Sequence, residues 1–160
     1  MGKLIFYKDT LRGENMLSVF DVAKYILTKH GPMTTMKLQK LVYYSQAWSL
    51  VWDGEPLFDS DFQAWSNGPV CPELFEKHKG LFKISASKIN GDITKITGQK
   101  KSTIDSVLGY YGDKDGHWLS VLTHKEKPWI EARKGIEDGE NCCSVITKDM
   151  MQEYYDGLSE

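Results

Sequence analysis

The sequence predicts one mostly helical α+β domain, with a buried central helix, other helices around it and one or two small β-hairpins. Three observations carry this reading. The run from Thr34 to Trp52 (TTMKLQKLVYYSQAWSLVW) is apolar around most of its circumference at the helical spacing of about 100° per residue, and such a helix belongs inside a domain. Shorter stretches on either side repeat an apolar stripe behind a capping residue. Short alternating or β-branched runs with turn residues stand between them, as in small hairpins. At 160 residues, 41% hydrophobic and 12% aromatic, the chain is one domain by size and has enough material for a core.

Residues 1–15 (MGKLIFYKDTLRGEN) are read as an N-terminal extension to a domain spanning 16–160, with Leu4 to Tyr7 as a short strand. An extension that folds back and an upstream start ahead of Met16 both fit. The first helix is expected from Ser18 to Lys29. Ser18 and Asp21 form a capping box with Asp in place of the usual Glu, Val19, Ala23, Ile26 and Leu27 supply the buried stripe, and Gly31-Pro32 stops the helix. Thr34 or Thr35 caps the central helix. Its polar residues are ordered: Gln39 and Gln46 share one narrow stripe, and Ser45 and Ser49 are small enough to let a neighbouring helix approach. Trp48, Val51 and Trp52 call for burial, and Gly54 and Pro56 end the helix.

Asp61 to Trp65 alternates like a short strand, and Ser66-Asn67-Gly68-Pro69 is a turn signal. Pro72 suits the first position of a short helix that runs to Lys79 and ends at Gly80. Phe82 to Thr97 reads as a hairpin around Asn90-Gly91, with Ile84, Ile89, Ile93 and Ile96 as its β-branched residues. Ser102 and Asp105 repeat the capping-box arrangement ahead of a stripe of Ile104, Val107, Leu108 and Tyr111, closed by Gly112. Leu119, Val121 and Leu122 form a short helix, Thr123 to Glu126 a turn, and Pro128-Trp129 opens another helix. An acidic loop from Glu137 to Asn141 follows. Thr147 then caps a last helix to about Gly157, with Met150, Met151, Tyr154 and Tyr155 as its apolar side.

Composition narrows the function classes. No stretch of about eighteen apolar residues exists and no signal-peptide core opens the chain. Met1-Gly2 fails as a myristoylation motif because the sixth residue is Phe6. Cys71, Cys142 and Cys143 lack zinc spacing and suit a reducing compartment, so a cytoplasmic protein without metal, cofactor or membrane partner is expected. Asp113 to Gly116 looks like part of a calcium loop, but His124 stands where the twelfth-position Glu is needed. A net charge of −2 argues against bulk attraction to nucleic acid. Seven lysines face one acid between Lys77 and Lys101, and eight acids face three bases between Glu131 and Glu160. Two solvated faces explain this, and so does a basic surface for an acidic protein partner or a phosphate backbone. No nucleophile elbow, P-loop or H-E-x-x-H motif occurs, so a non-enzyme is expected. His124 beside Glu126 is the one local candidate for a base, and a turn histidine holding the Thr123 to Trp129 corner is the competing reading.

KLQKLVYYSQAW, GEPLF and FQAWSNGPVCPELF, in that order, resemble the Panacea domain of SocA-like antitoxins and of the phage-associated GepA proteins, and LSVLTHKEKPW resembles its C-terminal part. The resemblance extends over residues 18–156. It implies an antitoxin that neutralises a toxin from a neighbouring gene by direct protein binding. One branch of the family instead delivers its toxin to the ClpXP protease. Family toxins have unrelated folds, so the resemblance names no toxin. The contact surface is then expected at Trp65, Asn67, Gly68, Pro69 and Val70, at His124, Glu126 and Trp129, and at Lys83, Lys88, Lys100 and Lys101. The competing reading of the first two groups is that they hold the fold. A winged helix-turn-helix-like phage regulator is the alternative function, with Lys37, Gln39 and Lys40 in the position of a recognition helix.

Overall fold

The structure, a computed structural model, describes residues 16–159. The expected extension over 1–15 and its strand lie outside the described residues. Helix α1 (Val19–His30) starts as its capping box dictates: Ser18 Oγ accepts the N–H groups of Phe20 and Asp21, and Asp21 accepts the Ser18 N–H at 3.0 Å. Helix α2 (Thr35–Trp52) is capped by Thr34, whose Oγ1 accepts the Lys37 N–H at 3.1 Å.

Around α2 are packed α1, α4 (Gly98–Tyr111), α5 (Gly116–His124), α7 (Lys148–Leu158) and a three-stranded antiparallel sheet. Two short helices, α3 (Pro72–His78) and α6 (Lys127–Ala132), begin with proline near their first position. In the sheet β2 (Phe62–Trp65) lies between β3 (Gly68–Val70) and β5 (Val145–Ile146), and β1 (Met33–Thr34) pairs separately with β4 (Lys83–Ile84). Pro69 is tolerated because β3 is an edge strand. Leu38, Leu41, Val42, Tyr43, Tyr44, Ala47 and Leu50 put α2 in the middle of the core, as its all-round apolar pattern requires.

The two glutamines of α2 serve irregular chain. Gln46 accepts the Leu57 N–H and donates to the Phe58 carbonyl, while Gln39 accepts the Cys71 N–H and donates to its carbonyl. Each primary amide thus satisfies a buried peptide segment that has no ladder of its own there.

Three expectations are corrected. Residues 82–97 do not form a hairpin about Asn90-Gly91. Lys83–Ile84 pairs with β1, and two 3-10 turns (Ala86–Lys88 and Ile93–Lys95) follow. Helix α1 supplies the polar partners that a facing strand would have supplied. Lys24 Nζ donates to the carbonyls of Ala86 and Ile89, and Asp21 accepts the Asp92 N–H at 2.7 Å. A Cβ at Gly91 would strike the Phe20 carbonyl, so this glycine is there for close approach to α1. Helix α4 begins a turn earlier than Ser102, at Gly98 with Thr97 as its N-cap residue, and Asp105 accepts from Tyr25 and Lys101 instead of capping. Trp52 is 49% exposed, with Trp48 and Val51 half-buried, because the two indoles stack on each other at 5.0 Å at the end of α2.

Candidate protein-binding surface

The two segments with the strongest sequence signatures meet in space. The β2–β3 turn exposes a row of backbone carbonyls, and the α5–α6 corner supplies side chains to them. Ser120 Oγ donates to the Asn67 carbonyl at 2.6 Å and Trp129 Nε1 to the Trp65 carbonyl at 2.8 Å. His124 directs one ring nitrogen to the Ser66 carbonyl at 2.8 Å and the other to the Ser120 carbonyl at 2.6 Å. Arg133 continues the row, donating to Ala64 at 2.9 Å and to Glu137 and Glu140 on the following loop. The imidazole packs on Trp129 at 4.0 Å, and the guanidinium lies over the same indole at 5.0 Å. His124 therefore occupies the joint-holding position, both nitrogens facing backbone.

This joint divides the expected contact residues. Gly68, Pro69, Val70, Glu126 and Trp129 are buried and take part in holding the fold. Trp65 and His124 are half-buried. Asn67, Lys83, Lys88 and Lys101 are exposed, while Lys100 is half-buried and pairs with Glu55 at 3.4 Å. Lys101 pairs with Asp105 at 2.9 Å, one helical turn away. Beside Lys83, Phe82 is 77% exposed, which sequence reading missed because it was assigned to a hairpin.

Below the turn lies Lys40, buried and without an ion-pair partner among the described residues. Burial pushes its ammonium down from 10.5 to about 7. Of the residues placed in a recognition-helix position, Gln39 and Lys40 are interior, and Lys37 is half-buried and donates to the Gly112 carbonyl. Gly68 has φ +119°, and a Cβ there would come within 2.6 Å of Lys40 Cε and 2.8 Å of Thr123 Oγ1. The expected outcome of Gly68→Ala is a loss of about 1–3 kcal/mol in chemical denaturation, from backbone conformation and crowding together. An unchanged midpoint would contradict this packing.

Glu126 is a second buried ionisable group. Glu126 Oε1 accepts from Tyr44 and Tyr155, both at 2.7 Å, and the Tyr43 and Tyr155 hydroxyls share a hydrogen bond at 3.1 Å. Burial raises the Glu126 carboxyl above its ordinary value, and the two phenols oppose that shift. Burial and the nearby carboxylate likewise raise the hydroxyls of Tyr44 and Tyr155. Glu126 is also one of the residues lining a cleft of about 410 Å³ whose other walls come from α2, α4, α5 and the C-terminal end of α7. Its short sequence distance from His124 marked Glu126 as a partner for that ring, whereas the fold gives it to the tyrosines of α2 and α7. No helix among the described residues is long and apolar enough to cross a membrane.

Comparison with known proteins places these features. The family model described as "Antitoxin SocA-like, Panacea domain" matches residues 38–130, from the first turns of α2 to α6 and thus both halves of the joint. Antitoxin SocA of Caulobacter vibrioides is 41% identical over 58 residues, covering 34% of this chain and 31% of that protein. The matched part is therefore about a third of the curated relative's length. No solved structure matches.

Proposed function

The chain belongs to the SocA-like antitoxin family with a Panacea domain, and we propose that it neutralises a protein toxin encoded by a neighbouring gene through direct binding. The observation that carries this is the family match over 38–130, which takes in the β2–β3 turn and the corner residues Ser120, His124 and Trp129 that hold it. On this reading the buried joint is the scaffold, and the surface around it makes the contact. Phe82 with Lys83 and Lys88 supplies an exposed aromatic anchor and a basic rim, and Asn67 stands at the tip of the β2–β3 turn. The toxin's matching patch is acidic.

Co-expression with the adjacent open reading frame tests the proposal. Growth arrest by the neighbour alone, rescue by this chain and co-purification of the two are the expected results. Phe82→Ala combined with Lys83→Glu should weaken rescue and capture while leaving the melting temperature near that of the parent, since both side chains are exposed. A neighbour without toxicity, or one that this chain does not rescue, would sink the reading. Rescue without a stable complex that disappears in a strain lacking ClpXP would replace occlusion by delivery to the protease.

A further inference from the structure

The cleft beside Glu126 has a chemistry that the joint does not use. Its walls include Trp48, Trp52, Tyr110, Tyr111 and Leu158, and Glu126, 5% exposed, is among the residues lining it. Three of these side chains stand open to solvent although apolar: Trp52 is 49%, Tyr110 68% and Leu158 55% exposed. The inner walls are fixed. Trp48 stacks on Trp52 and donates its indole N–H to the Tyr111 hydroxyl at 3.0 Å, and Tyr111 stacks on Tyr44 at 4.2 Å. Tyr44 in turn orients Glu126. Both tyrosines bound to the carboxylate approach Oε1, and no described residue donates to Oε2. No lysine or arginine of the described residues pairs with Glu126 either.

A purely apolar ligand would leave that carboxylate desolvated and unmatched, which is costly. An anion would be repelled by it. A cation fits both features, because aromatic faces attract cations and a buried acid is stabilised by one. Among protein cations, guanidinium is planar, weakly hydrated and able to lie against an indole while donating hydrogen bonds from its edge. We propose that this cleft is a receptor for an arginine side chain of the partner protein, stacked on the exposed indole and donating to Glu126. The assignment rests on the antitoxin reading for the identity of the partner, and its chemistry can be tested without any toxin.

The probe is N-acetyl-arginine N-methylamide, with N-acetyl-norleucine N-methylamide as the neutral control. Titration of the nitrogen-15-labelled chain is followed by the indole N–H signals of Trp48 and Trp52. The arginine probe should shift both with saturation in the millimolar range, and the neutral probe should shift neither. Glu126→Gln keeps an acceptor for the two tyrosines and should weaken binding by about tenfold or more. Trp52→Ala and Tyr110→Ala, both at exposed positions, should lower affinity with little change in melting temperature. Equal shifts by the two probes, no saturable shift with arginine, or unchanged affinity in Glu126→Gln would overturn the proposal. In cells, the Trp52→Ala, Tyr110→Ala double variant should lose rescue of the neighbouring toxin. Full rescue by that variant removes the cleft from toxin binding and leaves the antitoxin reading standing. Failure of the parent protein to rescue removes the antitoxin reading, and the probe titration then decides the arginine site alone.

Discussion

Trp129→Ala is expected to destabilise the domain by about 3–5 kcal/mol, the range for emptying a buried large aromatic position. Trp129 is 5% exposed, and its loss reaches beyond the cavity. Its indole N–H holds the Trp65 carbonyl at 2.8 Å, and its ring is packed on by His124 and Arg133. Without it the Trp65 carbonyl has no donor from α6, and His124 and Arg133 lose the surface that aligns them on Ser66 and Ala64. For a chain of this length the melting temperature should fall by roughly 10–15 °C. Trp129→Phe separates the contributions, since it keeps most of the packing and removes the donor. It should cost about 1–2 kcal/mol, in line with one buried hydrogen bond left unmade. If Trp129→Ala melted within a few degrees of the parent, the turn–corner joint would not be holding the domain, and the segment would be free to serve as a contact surface instead. The Asn67 and Pro69 pair can be read in the same terms. Asn67 is exposed and Pro69 buried, so instability of the double variant should trace to Pro69 alone.

That joint also shows what could be read from sequence. The helix starts were legible because capping is local: Ser18, Thr34 and Thr147 each act on a backbone N–H within three residues, so the signal lies in the sequence window itself. The β2–β3 turn was legible for the same reason, from Asn67-Gly68. The segment 82–97 was misread because its β-branched residues and Asn-Gly have two uses. They pair as a hairpin when nothing better is present, but here Asp21 and Lys24 of α1 supply the polar partners. Strand β5 is two residues long and exists through its pairing with Phe62 and Gln63, which no local pattern announces. The two signatures around Asn67 and His124 were visible separately, but their union depends on α5 crossing β3, a property of the whole fold. Glu126 and Lys40 were harder still. A charged residue type predicts exposure, and only the surrounding tyrosines, or the absence of room at Gly68, reveal that these two are inside.

Lys40→Met is expected to stabilise the protein, and the gain should depend on pH in a defined direction. The fall of the Lys40 ammonium from 10.5 to about 7 corresponds to about 5 kcal/mol of difference between its charged and neutral forms on burial. Between those two values the unfolded chain holds one more proton than the folded one. Wild-type stability therefore rises from about pH 7 toward pH 10.5, and the contribution is lost as pH falls through about 7. Methionine fills a similar volume and carries no charge to desolvate, so the variant should be more stable by about 1–4 kcal/mol near pH 6, with the advantage shrinking as pH rises. Other groups titrate across the range. Lys37, also lowered by burial, acts in the same direction, and Glu126, raised by burial, contributes stability that is fully present below 4.5 and is lost as pH rises through its folded value. Buried Tyr43, Tyr44, Tyr111 and Tyr155, all raised mainly by burial, take stability away above pH 10 because the unfolded chain ionises first. Those contributions are common to both proteins and cancel in the difference curve; His78, lowered by burial and also by Lys40, changes with the substitution, so the points at pH 8 and 9.5 carry the Lys40 signal most cleanly. Urea denaturation of both proteins at pH 6, 8 and 9.5 measures it. A variant less stable than the parent at pH 6, or a difference independent of pH, would mean that the ammonium is solvated or paired, and that the interior beneath Gly68 is wetter than this packing allows.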